Sequence, residues 1–260
     1  MHRNIRLSFG LFVVLYLFTG SFTAKSALAQ YNTGKPENLE DVGVVEHLGD
    51  RIPLDLTFAT SHGDSVTLQS LFNQSDKPIL FNPVYYECPM LCTMILDGVT
   101  KSLKKVDWKA GDEFRVITLS IDHRETVEEA SKARKKYLEK YGESVSENGW
   151  VFLTGNQESI AQVTQAIGFN FDYVESQDQF AHNASIMFLS PAAKITRYLY
   201  GIQFTSNDLK NALYEASNGT IGNTIDKVVM YCFQYDASSN SYVPVALNIM
   251  KVGGLLTMLI

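Results

Sequence analysis

The sequence predicts an α/β fold with a central mixed sheet flanked by helices. Three observations lead to it. Across residues 79–167, short apolar segments alternate with amphipathic ones, the pattern of consecutive β-α units on a parallel sheet. Ser185–Leu189 and Ile195–Tyr200 read as strands joined by Ser190-Pro191-Ala192-Ala193. That turn is too short for a crossover, so the pair is antiparallel and the sheet mixed. Helical periodicity then returns over residues 206–216.

Taken in order, the chain starts with Arg3 and Arg6, an apolar run over residues 11–19, and small residues ending in Ala27-Leu28-Ala29. That is the order of a secretory signal peptide, so residues 1–29 are expected to be removed on export. Residues 30–50 are polar and Gly-containing and read as a linker. Residues 51–240 are expected to form one domain, long enough for a sizeable core.

Within it, residues 54–58 and 66–68 form a strand pair around the turn Gly63-Asp64. Lys77-Pro78 introduces a buried strand, Ile79-Leu80-Phe81. Met94, Ile95, Val99 and Leu103 stripe a helix over 92–105. Residues 114–121 are the strongest strand, and 125–141 a charged helix for which Asp122 or His123 would serve as cap. A strand follows at 150–153, then a helix capped by Asn156 and stopped by Gly168. A short helix is expected from about Asn223. Residues 241–260 are almost uncharged. They fall short of the roughly 20 residues of a membrane span, and they are expected to make a membrane contact.

Charge and motifs exclude several function classes. Losing Arg3, Arg6 and Lys25 with the leader takes the 22 basic residues to 19 against 28 acidic ones, a formal charge of −9. Such a surface lacks the basic footprint of nucleic-acid binding. There is no Gly-rich phosphate loop, so nucleotide chemistry has no support.

The three cysteines are Cys88, Cys92 and Cys232. They are too few for a disulfide scaffold, which a domain of this size does not need. Cys88-Pro89-Met90-Leu91-Cys92 sits where a buried strand ends and a helix begins. Pro89 suits the first helical positions, and a helix N-terminus lowers the pKa of nearby thiols. Two sulfurs one turn apart can clamp a soft metal ion or close to a disulfide. Cys232 lies in an apolar run and is expected to be an inert thiol.

Four histidines lie beyond the leader. His47 and His62 read as surface residues, and His123 as structural at the start of a helix. His182 precedes the strand Ser185–Leu189, in a loop that such a sheet can bring to the cysteine-bearing helix. Two thiolates and an imidazole suit copper, and the thiolates favour Cu(I). Zinc would want a fourth ligand.

Three segments carry a family resemblance. Cys88-Pro89-Met90-Leu91-Cys92, the strand from Val116 to Asp122, and Phe180-Ala181-His182-Asn183-Ala184-Ser185 resemble, in this order, elements of the Sco/SenC family of thioredoxin-like copper-binding proteins. The chain departs from the usual pattern at Thr93 and His123, where proline is common, and at Ser190, where aspartate is. The resemblance implies a thioredoxin-like fold and one copper ion, Cu(I) or Cu(II), held by Cys88, Cys92 and His182. It also implies an exported, membrane-associated protein on the periplasmic side of a bacterial inner membrane. The implied partner is subunit II of cytochrome c oxidase, whose binuclear copper centre would receive the metal, or a similar copper-receiving protein. Three functions stay open: a copper metallochaperone, a thiol-disulfide oxidoreductase served by a thiol reductant, in which Cys88 and Cys92 would be the catalytic pair, and a redox sensor or structural partner domain in the respiratory chain, in which His182 would be dispensable.

Overall fold

A computed structural model describes residues 42–74, 76–142, 145–146, 148–221, 233–236 and 241–244. The expected signal peptide, the helix from Asn223, Cys232 and most of the apolar C-terminal segment lie outside these residues.

A seven-stranded sheet organises the described chain. Its strands are β2 (Thr57–Thr60), β3 (Ser65–Thr67), β4 (Ile79–Val84), β5 (Arg115–Ser120), β6 (Trp150–Thr154), β10 (Ser185–Leu189) and β11 (Ile195–Tyr200). Their spatial order is β11-β10-β4-β5-β6-β2-β3. The three central strands, β4, β5 and β6, run parallel, with β10 antiparallel to β4 and β2 antiparallel to β6. Every residue of β4, β5 and β6 is buried, as strands covered on both faces require. This mixed sheet flanked by helices is a thioredoxin-like arrangement.

The helices are α1 (Leu68–Asn73), α2 (Leu91–Leu103), α3 (Val127–Tyr141), α4 (Gln157–Ala166) and α5 (Ser206–Ser217). Helix α2 packs between α3 and α5. Its inner stripe of Cys92, Ile95, Leu96, Val99 and Leu103 is buried, and each such aliphatic side chain contributes about 1.5–3 kcal/mol. Gly98 is needed there, because a Cβ would collide with the Ile202 carbonyl of the neighbouring segment.

Three local readings are corrected. Residue 68 begins α1 instead of ending a strand, because the Thr67 hydroxyl accepts the Ser70 N–H and caps it. Helix α3 is capped by Thr126 in a capping box with Glu129, not by Asp122 or His123. The chain first makes a turn in which the Glu125 N–H donates to the Asp122 carbonyl. His47 is half-buried, with Nδ1 2.9 Å from the Ala166 carbonyl.

Small strands complete the body. β1 (Gly43–Val44) pairs with β7 (Phe169–Asn170). Gly168 precedes β7 with φ +60, and the Val45 carbonyl would collide with any Cβ there. β8 (Asp172–Val174) and β9 (Gln179–Ala181) form a hairpin that ends one residue before His182. A separate hairpin joins β12 (Phe233–Asp236) to β13 (Ser241–Pro244).

Candidate metal centre

The centre is assembled at one end of two antiparallel neighbours, β4 and β10. Their register pairs Phe81 with Met187, Leu80 with Phe188 and Ile79 with Leu189. It stops short of Pro83. Alternation along β4 turns the backbone of Val84 toward β5, where its carbonyl accepts the Ile121 N–H. The backbone of Pro83 therefore faces the β10 side, where proline has no N–H to give. The ladder ends, and the chain entering β10 is free to fold over the loop that leaves β4. That loop carries Cys88, and the entering chain carries His182.

The loop between β4 and α2 is held by side chains at both ends. Tyr86 drives its ring inward, and its hydroxyl donates to the Leu153 carbonyl at 2.7 Å and the Thr118 carbonyl at 3.2 Å. The Glu125 carboxylate accepts the backbone N–H of Tyr86 at 2.8 Å and of Glu87 at 2.7 Å, and the Ser120 hydroxyl at 2.5 Å. Burial pushes the Glu125 pKa up, against those three hydrogen bonds. Sequence reasoning missed this clamp on the residue before Cys88. A carboxylate bonded to backbone amides 38 and 39 residues away leaves no pattern in the chain.

Pro89 lies just ahead of α2, whose N-cap is Met90, so it is not itself helical. Met90 offers no side-chain cap; the Cys88 sulfur does this instead, accepting the Cys92 N–H at 3.2 Å. A sulfur anion there meets the positive end of the helix. Cys92 Sγ accepts the Tyr85 N–H at 3.4 Å and lies 3.1 Å from His182 Nε2. His182 Nδ1 is 2.9 Å from the Asn183 carbonyl. A carbonyl only accepts, so Nδ1 carries a proton, and Nε2 is the ring nitrogen turned toward the sulfurs.

The two cysteines are electrostatically unlike. The Cys88 thiol is pulled down to about 3, chiefly by a hydrogen bond from Cys92, with His182 adding to it and burial opposing. The Cys92 thiol is pushed far above its ordinary value by burial first and by Cys88 second. Cys88 is thus the thiolate and Cys92 the protonated partner, and neither is in a disulfide.

All three donor atoms lie within 4.8 Å of one another. Thiolate and imidazole bonds of about 2.3 and 2.0 Å set donors roughly 3.7–4 Å apart around a trigonal ion. A small adjustment at the 3.1 Å Cys92–His182 contact meets that spacing, and the donor set matches copper's preference for thiolate and imidazole. The donors are nearly closed off from solvent: Cys88, Cys92 and His182 are 8 %, 1 % and 9 % exposed. Tyr85 and Phe169 flank the imidazole at ring distances of 6.0 and 5.8 Å.

The β8–β9 hairpin leading into His182 is pinned by Arg124. Its guanidinium pairs with Asp122 at 2.8 Å and Asp178 at 3.1 Å, and lies over the rings of Tyr173 and Phe180. Phe180 packs edge-on to Tyr85 at 5.6 Å. His123 is exposed and lines an open pocket of about 420 Å³ with Arg124, Phe171, Tyr173 and Phe180. His47, His62 and His123 are not among the converging donors.

Comparison with known proteins finds relatives in both sequence and fold. The SCO1/SenC family description matches residues 49–216. A crystal structure of a candidate electron transfer protein from Aquifex aeolicus is similar, with 28 % identity and a TM-score of 0.57 over 66 % of this chain and 95 % of that one. A SCO1/SenC family lipoprotein from Bacillus anthracis has the same fold at 18 % identity and a TM-score of 0.52, covering 67 % and 99 % of the two chains. So does Arabidopsis thaliana ScoI, solved with copper bound, at 18 % identity and 0.51, covering 66 % and 99 %. None of the curated proteins compared matches the chain. With the family description spanning well over half of its length, and a cysteine–cysteine–histidine cluster suited to copper at the end of its sheet, the chain belongs to the SCO1/SenC family.

Proposed function

We propose that this chain is a copper metallochaperone that holds one copper ion on Cys88, Cys92 and His182. It delivers that ion to the binuclear copper centre of cytochrome c oxidase, on subunit II. The observation that carries the reading is the convergence of two cysteine sulfurs and an imidazole nitrogen within 4.8 Å, with Cys88 and His182 just short of full burial. A carrier needs such a place: soft donors to hold Cu(I), near enough to the surface for a partner to take it. Copper bound in a relative of the same fold supports the metal. Signal-like residues 1–29 and the apolar residues 241–260 support export and membrane contact on the periplasmic side. No helix among the described residues is long and apolar enough to cross a membrane.

The deciding experiment measures copper per chain after anaerobic loading, for the wild type and His182→Ala, and then transfer to the purified soluble domain of subunit II. One copper per wild-type chain, appearing on the acceptor, supports the reading. No transfer to an apo-acceptor rejects the delivery step.

A second reading, a thiol-disulfide oxidoreductase acting on the acceptor's cysteines, draws on the asymmetry of the pair. A thiolate at Cys88 beside a protonated Cys92 is what exchange chemistry uses. Many disulfides reduced per chain by a supplied reductant, whether or not copper is present, would favour it.

A further inference from the structure

We propose that Met90 and Met94 form an outer thioether site that receives Cu(I) and passes it inward to Cys88 and Cys92. This rests on the copper-carrying reading and extends it to how the ion arrives.

Met90 is 67 % exposed and Met94 41 % exposed. Met90 sits between the two cysteines in the chain, and Met94 follows Cys92 by two. By contrast, Met187, in the middle of the sheet, is fully buried. The Met94 N–H donates to the Met90 carbonyl at 3.0 Å, so one helical turn separates the two residues. Side chains so placed are surface neighbours, with about 5–6 Å between their Cβ atoms, and both flexible thioethers can reach one ion.

Folding does not ask for methionine at either place. The buried stripe of α2 is Cys92, Ile95, Leu96, Val99 and Leu103. Met94, which the sequence pattern puts on that stripe, lies off it in the fold, as does Met90, and both are exposed. What methionine does supply is a neutral, soft sulfur, which selects Cu(I) over hard cations. Two neutral thioethers hold the ion more weakly than two thiolates, so exchange runs inward. In that step Cu(I) leaves the thioethers, which are chemically unchanged, and bonds to the two cysteine sulfurs and His182 Nε2. Any thiol proton goes to water. Copper remains Cu(I), and no electron moves.

The test uses the full chain labelled with ¹³C in the methionine methyls, the signals assigned by single Met→Leu variants. Ag(I), a redox-inert stand-in for Cu(I), is titrated into the Cys88→Ser/Cys92→Ser variant. The Met90 and Met94 methyls are expected to shift together and saturate with one ion, while Met187 stays still. In the wild type, Cu(I) supplied as its acetonitrile complex is expected to end on the cysteines, leaving both methyls at their metal-free positions. Met90→Leu/Met94→Leu should slow Cu(I) uptake on the order of tenfold with unchanged equilibrium affinity. Methyls that ignore Ag(I), or an unaltered uptake rate, overturn the outer site while leaving copper carriage on the cysteines standing. A wild type whose cysteines take no Cu(I) overturns both.

Discussion

His182 Nε2 lies 3.1 Å from Cys92 Sγ although 90 residues separate them in the chain. Strand pairing explains the meeting. Cys92 follows β4 and His182 precedes β10, and the two strands are antiparallel neighbours. The exit of one is therefore the entrance of the other.

Substitution of His182 by alanine should separate the two oxidation states of copper. Removing even an outer-shell partner costs about 10–100-fold in metal affinity, so loss of the imidazole should cost Cu(II) at least that. Cu(I) keeps two thiolates and should be held with a smaller loss. Electron paramagnetic resonance and the thiolate-to-Cu(II) absorption band report the first, and competition with a Cu(I) chelator the second. Equal losses for both ions would count against the assigned donor roles.

Copper uptake should expel one proton per Cu(I), not two. Cys88 is already a thiolate, its pKa lowered to about 3 chiefly by the hydrogen bond from Cys92, whereas Cys92 keeps its proton because burial raises it. Near neutral pH, two ordinary thiols with pKa about 8.5 would instead release nearly two. Calorimetry in buffers of differing ionisation enthalpy gives the number. The same asymmetry sets apo-protein stability. With the Cys88 pKa lowered, the unfolded chain binds a proton that the native state does not. That contribution is fully present above the unfolded thiol pKa and is lost as pH falls toward about 3.

The parts of this centre differed in how far the sequence exposed them. Cys88 and Cys92 were legible because a proline-bearing cysteine pair at a strand–helix junction is a local signal, and β4 and α2 formed where the apolar pattern put them. His182 was placed by the loop before a recognisable strand and by family resemblance. The β7, β8 and β9 strands, two or three residues each, are too short to show a period and went unread. Yet two of them, β8 and β9, steer His182. Asp122 looked like a helix cap because it is an acidic residue after a strand. Its carboxylate instead accepts both the backbone and the side chain of Arg124, a pairing that only the folded turn reveals.

Glu125 should matter to the centre without touching it. In Glu125→Ala, the N–H groups of Tyr86 and Glu87 lose their acceptor. The exposed Glu87 N–H can turn to water, so the cost falls on the part-buried Tyr86 N–H, at the low end of about 1–3 kcal/mol, and 1 kcal/mol lowers the Tm of a domain this size by roughly 2–4 °C. Cu(I) affinity should fall as well, since the loop before Cys88 loosens. Glu125→Gln should be milder at neutral pH. The Glu125 pKa is raised by burial, so its ionised form is disfavoured in the native state, and that disadvantage grows as pH rises above the unfolded value. An amide avoids the charge and still accepts one hydrogen bond. Thermal unfolding at several pH values checks the order. A Glu125→Ala protein with wild-type Tm and copper affinity would show that the loop is held by Tyr86 alone.

Copper and a Cys88–Cys92 disulfide should exclude each other. Thiolates are the ligands, and a disulfide has none to offer. Cys92 is 1 % exposed and Cys88 8 %, so in the reduced apo-protein a small alkylating reagent should modify Cys88 first. It is both the more exposed of the two and the thiolate. Loaded with Cu(I), neither should react. Oxidation by a disulfide then removes two electrons from the pair, which form the S–S bond, and returns the oxidant as two thiols while the ion leaves. In an oxidising compartment the empty reduced site would persist only with a reductant to regenerate it, so under the carrier proposal copper must load before oxidation closes the pair. Peptide mass spectrometry after timed alkylation, with and without one equivalent of Cu(I), reads the protection directly. Protection lost in His182→Ala would make the imidazole necessary for Cu(I) retention; protection kept there would leave the two sulfurs as the main hold on Cu(I). Alkylation of Cys88 at the same rate with and without copper would remove it from the ligand set, and with it the carrier reading.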